Sequence, residues 1–425
     1  MSQTPAVPSS LPTGLPSGAS PGGVLVIGGR TDVLRKAKAL GLHVVYVQQP
    51  EYFLAEEAAW CDKALLVDYT DWRELRPLVA AAHEAYGFTC AFSTLEPALE
   101  PVGLVNELLG FDGNPHQVSN LLRDKWAMRR HLAGAGPLSV AAAEAGGRES
   151  LVEFGRAHGF PFILKPVDAA ASLGVLRVDG PGDIDAVLDR LEGLRGSSEH
   201  QFANFFRLER FLLEEYLDGP EYSVESLSFD GRHTVVAITE KRTHTEFVEL
   251  GHALPARLAP GVEAEITGCV TAFLDAVGLR QGPAHTEVRL SSRGPKVIES
   301  HDRTGGDRIS ELVEAAYGID LEARALAWLS GRGEDLPGRP RPLAAAATRF
   351  LTSAPGTVVE IHGVEAARAL DGVLDVSVGV RVGDTVPPLQ ASWDRVGQIL
   401  VTAADTAAAV DLCDRVAEKI SIVTA

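Results

Sequence analysis

Two carboxylates that converge on one point repel unless a cation joins them, and Glu287 and Glu299 are spaced to converge. His285-Thr286-Glu287-Val288-Arg289-Leu290 alternates as a strand does, Ser291-Ser292-Arg293-Gly294 makes a turn, and Lys296-Val297-Ile298-Glu299-Ser300-His301 returns. On adjacent antiparallel strands in the right register, both side chains face the same side. Mg2+ takes such a pair and fills its other positions with water and substrate phosphates. Two solvated glutamates on a surface hairpin fit the same pattern. The residues that follow favour chemistry. Asp302-Arg303-Thr304-Gly305-Gly306-Asp307 sets a planar guanidinium, suited to phosphate or carboxylate, beside two glycines that let a ligand approach the backbone.

Upstream lies Leu212-Leu213-Glu214-Glu215-Tyr216-Leu217-Asp218-Gly219-Pro220-Glu221-Tyr222-Ser223-Val224-Glu225, a strand, a turn and a strand. Lysines stand in Arg123-Asp124-Lys125, Leu164-Lys165-Pro166 and Thr239-Glu240-Lys241, and a small-residue loop runs from Asp168 to Gly174. Taken in order, these pieces resemble the ATP-grasp superfamily, over residues 23–425. The resemblance implies ATP and Mg2+ as cofactors, with Mn2+ as a substitute. It implies that Glu214 accepts from the adenine amino group, that Leu217 offers backbone contacts to the ring and that Glu221 holds the ribose hydroxyls. Lys125 and Lys165 would contact ATP phosphates, Ser172 would sit near them in the covering loop, and Lys241 would lie near the γ-phosphate. Glu287 and Glu299 match the metal carboxylates, and Arg303 the arginine that steadies an acyl phosphate.

The family has Asn-Pro-Arg after the second glutamate, and this chain reads His301-Asp302-Arg303. Imidazole is a poorer Mg2+ ligand than an amide oxygen, so His301 is either a third metal-side group or a residue that orients its neighbours. Within the superfamily the chain is most similar to the L-amino-acid ligases that make dipeptides, often in antibiotic-type pathways. The features are Glu-Ser-His-Asp-Arg-Thr-Gly-Gly-Asp, the loop with Gly251-His252, and a long C-terminal unit. An ADP-forming carboxylate–amine ligase needs positioning and charge neutralisation, not a side-chain nucleophile. No convincing Ser/His/Asp or Cys/His set is present. His83, His131 and His158 fall on helices away from the motifs and read as structural. Polar residues 243–252 read as a loop that covers substrate, where Glu249 and His252 contact an amine; a solvated loop is the plainer alternative. Gly305 and Gly306 line the substrate side. Two alternatives stand: a bicarbonate- or formate-using purine-pathway-like enzyme, and a nucleotide-binding regulatory protein without catalysis. Which amino acids are joined, and whether an α- or a side-chain carboxylate is activated, is not encoded in spacing.

These residues need elements to hold them. Val24-Leu25-Val26-Ile27, then Gly28-Gly29-Arg30, a helix from Asp32 to Leu40 and a strand from His43 to Val47 make a βαβ start. The glycine turn is an incomplete dinucleotide fingerprint or simply a tight turn. Strands at 63–67 and 89–92 and helices at 72–86 and 97–109 complete an open parallel-sheet domain. The middle is α+β with antiparallel strands, including an Asp230-Gly231 hairpin, and 197–208 reads as a loose polar connection. From residue 341 on, short strands and two helices form a further unit. The fold class is therefore multidomain α/β and α+β: a disordered tail at 1–22, an N-terminal α/β domain at 23–118, an ATP-grasp domain at 119–335 and a C-terminal α+β domain at 336–425.

The length of 425 residues allows about two to four domains. A net charge of −18 argues against general nucleic-acid binding and against anionic membranes. It leaves room for small anionic substrates. Four scattered cysteines form no zinc or disulfide pattern. No apolar run is long enough to span a bilayer, the tail lacks a signal-peptide core, and the expected location is the cytoplasm. Small-molecule amino acids are the expected partners, and the family resemblance makes a homodimer plausible.

Overall fold

The computed structural model describes residues 22–194, 208–243 and 247–425. The expected tail (save Gly22), residues 195–207, which take in the expected polar connection except Leu208, and residues 244–246 lie outside the described residues.

The first domain is a parallel sheet in the order β3-β2-β1-β4. Its elements are β1 (Gly23–Ile27), α1 (Thr31–Ala39), β2 (His43–Gln48), β3 (Lys63–Leu66), α2 (Trp72–Tyr86), β4 (Phe88–Phe92) and α3 (Glu96–Leu109). Val24 to Ile27 have no exposed surface, as expected of a strand covered on both faces. The glycine turn after β1 is closed: a Cβ on Gly28 would sit 3.2 Å from Leu95 and 3.3 Å from Tyr69. It is a tight turn against side chains.

Helices α4 (His116–Arg123) and α5 (Lys125–His131) lead into a small antiparallel sheet. That sheet has the order β5-β8-β6-β7 and contains β5 (Ala142–Glu144), β6 (Phe162–Pro166), β7 (Leu176–Val178) and β8 (Phe211–Glu215). Helices α6 (Arg148–His158) and α7 (Ile184–Leu194) cover one face through Leu151, Phe154, Ile184 and Leu191. The other face looks across a cleft at the central sheet.

The central sheet has eight strands in the order β13-β12-β9-β10-β11-β14-β18-β16. It begins with β9 (Glu221–Phe229) and β10 (Arg232–Thr243), joined at Asp230 and Gly231, both at positive φ as the tight hairpin turn requires. Then come β11 (Glu249–Leu254), α8 (Val262–Val277), β12 (Gly282–Ser291), β13 (Gly294–His301), α9 (Ile309–Tyr317), α10 (Leu321–Leu329) and β14 (Ala345–Leu351). The chain ends with β15 (Gly356–His362), α11 (Val364–Arg368), β16 (Val373–Val378), β17 (Thr385–Val386), β18 (Gly397–Ala403), α12 (Thr406–Ala417) and β19 (Ser421–Thr424).

Two features depart from the sequence pattern. The segment expected to be a covering loop contains β11, a strand paired with both β10 and β14. Its polar residues hide it, and Gly251 is there for packing: a Cβ on it would lie 2.7 Å from the Thr348 carbonyl oxygen. The C-terminal strands β14, β18 and β16 extend the central sheet instead of forming a sheet of their own. One apolar cluster accordingly joins Val24 and Phe92 to Leu227, Leu312, Ala346 and Leu400.

Candidate active site

The cleft lies between the four-stranded sheet and the central sheet. Lys125, Lys165 and Ser172 line it from one side, Glu214, Leu217 and Glu221 from the hinge, and Glu249, Glu287 and Glu299 from the central sheet. Two antiparallel pairings make this possible. Strands β12 and β13 pair Glu287 directly with Glu299, the register expected from their alternation. Strands β9 and β12 pair Ser223 with Glu287, which puts Glu221 and Glu225 in the same row.

The hinge runs from Tyr216 to Pro220 and changes sheets between β8 and β9. Gly219 has a φ of 81°, and a Cβ there would come within 2.0 Å of the Leu290 carbonyl oxygen, so only glycine fits. Glu214 accepts from Arg129 at 2.5 Å and from Lys165 at 2.7 Å, one cation on each oxygen. Burial opposes its charge, but Arg129 and Lys165 outweigh burial and hold the carboxyl below the usual range. Each oxygen keeps a second lone pair, so an adenine amine can still be accepted, but the task visible here is to fix two cations. The Leu217 carbonyl and the Glu221 carboxylate are both engaged by Arg289, at 3.1 and 3.2 Å.

Lys241 is the hub of the central sheet's charges. Its ammonium lies 3.2 Å from Glu221, 2.7 Å from Glu249 and 2.5 Å from Glu287. Burial would discharge it, but Glu249, Glu287 and Glu221 raise it well above the ordinary lysine range. Lys125 plays the same part for Glu299, at 2.8 Å, and also donates to the Ala169 carbonyl at 2.7 Å. The Glu287 carboxyl is pulled down to about 2: burial opposes this, and Lys241 and His285 outweigh burial and the repulsion of Glu299. Both carboxylates are thus ionised and already matched to cations.

The covering loop holds Ala171 and Ser172 in the left-handed region, with φ of 57° and 62°. The Ser172 hydroxyl donates to the Phe247 carbonyl at 3.0 Å.

Five expected residues sit apart from this row. His301 is buried, 3.6 Å from Glu299 and 3.9 Å from Glu96. Arg303 donates to Glu96 at 2.9 Å and to the Thr304 carbonyl at 2.8 Å. Gly305 packs on a buried pair: His285 meets Glu225 at 2.6 Å, and a Cβ on Gly305 would lie 2.8 Å from His285. Gly306 meets nothing within 4 Å of such a Cβ. His252 belongs to β11, is 2% exposed and bonds Asp307 at 3.0 Å. A side chain that buried is part of a wall, which corrects the covering-loop expectation for it.

Glu96, Arg129, Glu225, Arg289, Asp307 and Arg395 join the site without having been expected there. Arg289 and Glu225 could have been found by strand alternation, since they share rows with Glu287 and Glu221. Glu96 and Arg395 could not, because they come from distant parts of the chain with no local motif.

The ATP-grasp domain family matches residues 158–311, the ATP-grasp N-terminal domain family matches 34–113, and L-amino acid ligase C-terminal domain 2 matches 349–425. Alanine--anticapsin ligase of Bacillus subtilis is 27% identical over 60% of this chain and 57% of its own length. Carnosine synthase 1 of Gallus gallus is 30% identical over 43% of this chain and 20% of its own length. The matches thus span little more than half of the first relative and a fifth of the second. The crystal structure of an L-amino acid ligase from Bacillus licheniformis superposes with a TM-score of 0.80 at 22% identity, over 95% of this chain and 99% of that one. Among the described residues no helix is long and apolar enough to cross a membrane. With three matching families in chain order and the paired carboxylates in register, the chain belongs to the ATP-grasp superfamily.

Proposed function

We propose that this protein is an ADP-forming carboxylate–amine ligase that activates an amino acid's carboxylate and joins it to an amine. The observation that carries the reading is the row of ionised acids and buried lysines: Glu287 opposite Glu299, with Lys241 and Lys125 in contact with them. Such a row suits a triphosphate and a metal, not a proton-shuttling hydrolase. Its relatives include a ligase that joins alanine to anticapsin and a carnosine synthase, and this supports an amino acid as substrate.

The proposed sequence is two displacements. The substrate carboxylate attacks the γ-phosphorus of ATP; an O–P bond forms, the β,γ-bridging bond breaks, and ADP leaves. The amine then attacks the carbonyl carbon of the acyl phosphate, the C–O bond to phosphate breaks, and the amine's proton passes to a nearby base. Lys125 and Lys165 would meet the phosphates, and Lys241 would hold Glu221, Glu249 and Glu287 in position until ligands arrive. The donor set fits Mg2+, or Mn2+ in its place: two ionised carboxylates face one cleft, and the nearest cation to each is a lysine that a phosphate can draw away. When bound, the ion supplies charge neutralisation for the triphosphate. His301 suits the orienting role better than ligation, because its nearest partner is the Glu299 carboxylate.

An ADP-release screen over pairs of amino acids tests this, with hydroxylamine as a trap for the acyl phosphate. Amino-acid-dependent ADP and hydroxamate are expected. Turnover that requires bicarbonate and ignores amino acids, or nucleotide binding without turnover, would sink it.

A further inference from the structure

The covering loop, residues 168–174, connects two strands of the small sheet, yet part of what holds it comes from the far end of the chain. Leu173 is its one large apolar side chain, so the loop brings little packing of its own. It nevertheless keeps Ala171 and Ser172 at positive φ, which residues other than glycine adopt only where their surroundings impose it. Two attachments are close to the cleft: Lys125 donates to the Ala169 carbonyl at 2.7 Å, and the Ser172 hydroxyl to the Phe247 carbonyl at 3.0 Å. The third belongs to the C-terminal unit. The Ser392 amide donates to the Ala171 carbonyl at 3.3 Å, and beside it the Trp393 side chain packs on a small apolar cluster of Ala169, Leu173 and Leu208.

The segment that reaches the loop is tied down along its length. The Asp394 carboxylate accepts from the Gln390 and Ala391 amides at 2.8 and 2.7 Å and closes the short turn Ser392–Asp394. Arg395 follows: it donates to the Ser392 carbonyl at 2.5 Å and stacks 3.6 Å from the centre of the Phe350 ring. It also grips both oxygens of Asp307, at 2.7 and 2.9 Å, the two-pronged geometry that gives such a pair its direction. A buried ion pair is weak evidence for stability, because desolvation offsets its attraction. A fixed anchor is the use this geometry suits. Phe350 lies on β14 and Asp307 just ahead of α9, so residues 390–395 are anchored on the central-sheet side and reach the covering loop of the other sheet. They are a tie between the two walls of the cleft in addition to the hinge.

We propose that Trp393 is a positioning residue for the nucleotide: with the Ser392 amide it latches the covering loop over the phosphates, and Arg395 anchors the latch. This rests on the ATP-binding part of the ligase reading and adds a task for the C-terminal unit, which sets how long the nucleotide stays enclosed. A loop that closes over phosphates must open again to release ADP. One indole on three apolar side chains favours the closed loop and can still let go of it.

The test measures how fast N-methylanthraniloyl ADP, a fluorescent analogue, leaves the full chain in the presence of Mg2+ when chased with excess ATP. Trp393→Ala should raise that dissociation rate about tenfold, the loss expected from one partly buried apolar contact made only while the loop is closed. Trp393→Phe should recover part of the loss. Leu173→Ala, on the other side of the contact, should speed dissociation alike, and the double variant should be no faster than either single one. The melting temperature of the nucleotide-free protein should move little in all of them, which separates a latch from a general loss of structure. Should Trp393→Ala melt without a cooperative transition, Trp393→Phe and Leu173→Ala carry the same test. A wild-type rate in the variants, or full additivity of the two substitutions, would overturn the latch and leave the ligase reading standing. A wild type that does not bind the analogue overturns both. The expected rates without any amino-acid-dependent ADP formation overturn the ligase reading alone.

Discussion

Each of the two paired carboxylates in this cleft meets a different lysine: Lys241 for Glu287 and Lys125 for Glu299. That division gives the first prediction. Glu287→Gln or Glu299→Gln removes a charge that a lysine meets and that the proposed metal would need, so ADP formation should fall by at least about a hundredfold. The thermal melting curve should stay cooperative. Near-normal turnover would refute the metal assignment. A second prediction separates this chemistry from thiol catalysis. Burial pushes the Cys90 and Cys413 thiols up to about 12 and Cys269 up to about 11. Far below those values the thiolate, the reactive form, is scarce. Iodoacetamide at neutral pH should therefore leave turnover intact, and labelling at Cys90, Cys269 and Cys413 should speed up only as pH rises towards them. Rapid loss of activity at pH 7 would overturn this. At this scale the sequence was legible where function coincides with strand alternation. The facing of Glu287 and Glu299 could be read from their alternation, whereas Lys241 was picked out only by the family resemblance. Glu96, which meets Arg303, could not: a carboxylate on α3 reaches the end of β13 only through tertiary packing.

Elements were legible in proportion to how local their signal is. Helix α2 begins at Trp72 and ends at Tyr86 as its pattern predicts, with Asp71 accepting from the Arg73 amide at one end and Gly87 at a φ of 62° at the other. Strand β11 was missed because polar Glu249 and His252 are buried by partners that only the folded sheet supplies. Helix α8 escaped notice for the opposite reason: Cys269, Val270, Phe273 and Leu274 pack on the sheet without a sharply marked polar face. The hinge tests how far an element's geometry governs nucleotide binding. Gly219→Ala puts a Cβ into the Leu290 carbonyl and forces a side chain into the left-handed region. The turn must then move, at a cost of about 2 to 4 kcal/mol. Because Leu217 and Glu221 flank it, ATP affinity should weaken together with the melting temperature. A variant that melts lower yet binds ATP normally would show that the hinge and the nucleotide contacts are uncoupled.

On the scale of the molecule, the boundary drawn at residue 335 from the sequence meets a continuous sheet. Strands β11 and β14 pair from Gly251 to Leu254 across that boundary, and β14 carries β18 and β16 beyond it. Ending the chain at residue 335 would leave the backbone of β11 unpaired along one edge, an open template for aggregation. It would also strip Ala346 and Leu400 from the cluster that reaches Val24 in the first domain, and it would release Asp307 from Arg395. These losses fall on one cooperative core, so they should not appear as a folded enzyme lacking a module. A chain of residues 22–335 is expected to be insoluble or to melt without a cooperative transition, and to bind no ATP, whereas residues 22–425 melt in one step. Calorimetry and nucleotide titration of the two chains decide the matter. A soluble 22–335 chain that melts cooperatively and binds ATP would mean that the C-terminal strands are added to a finished sheet. In that case Arg395 would be the part of the C-terminal unit that the active site needs.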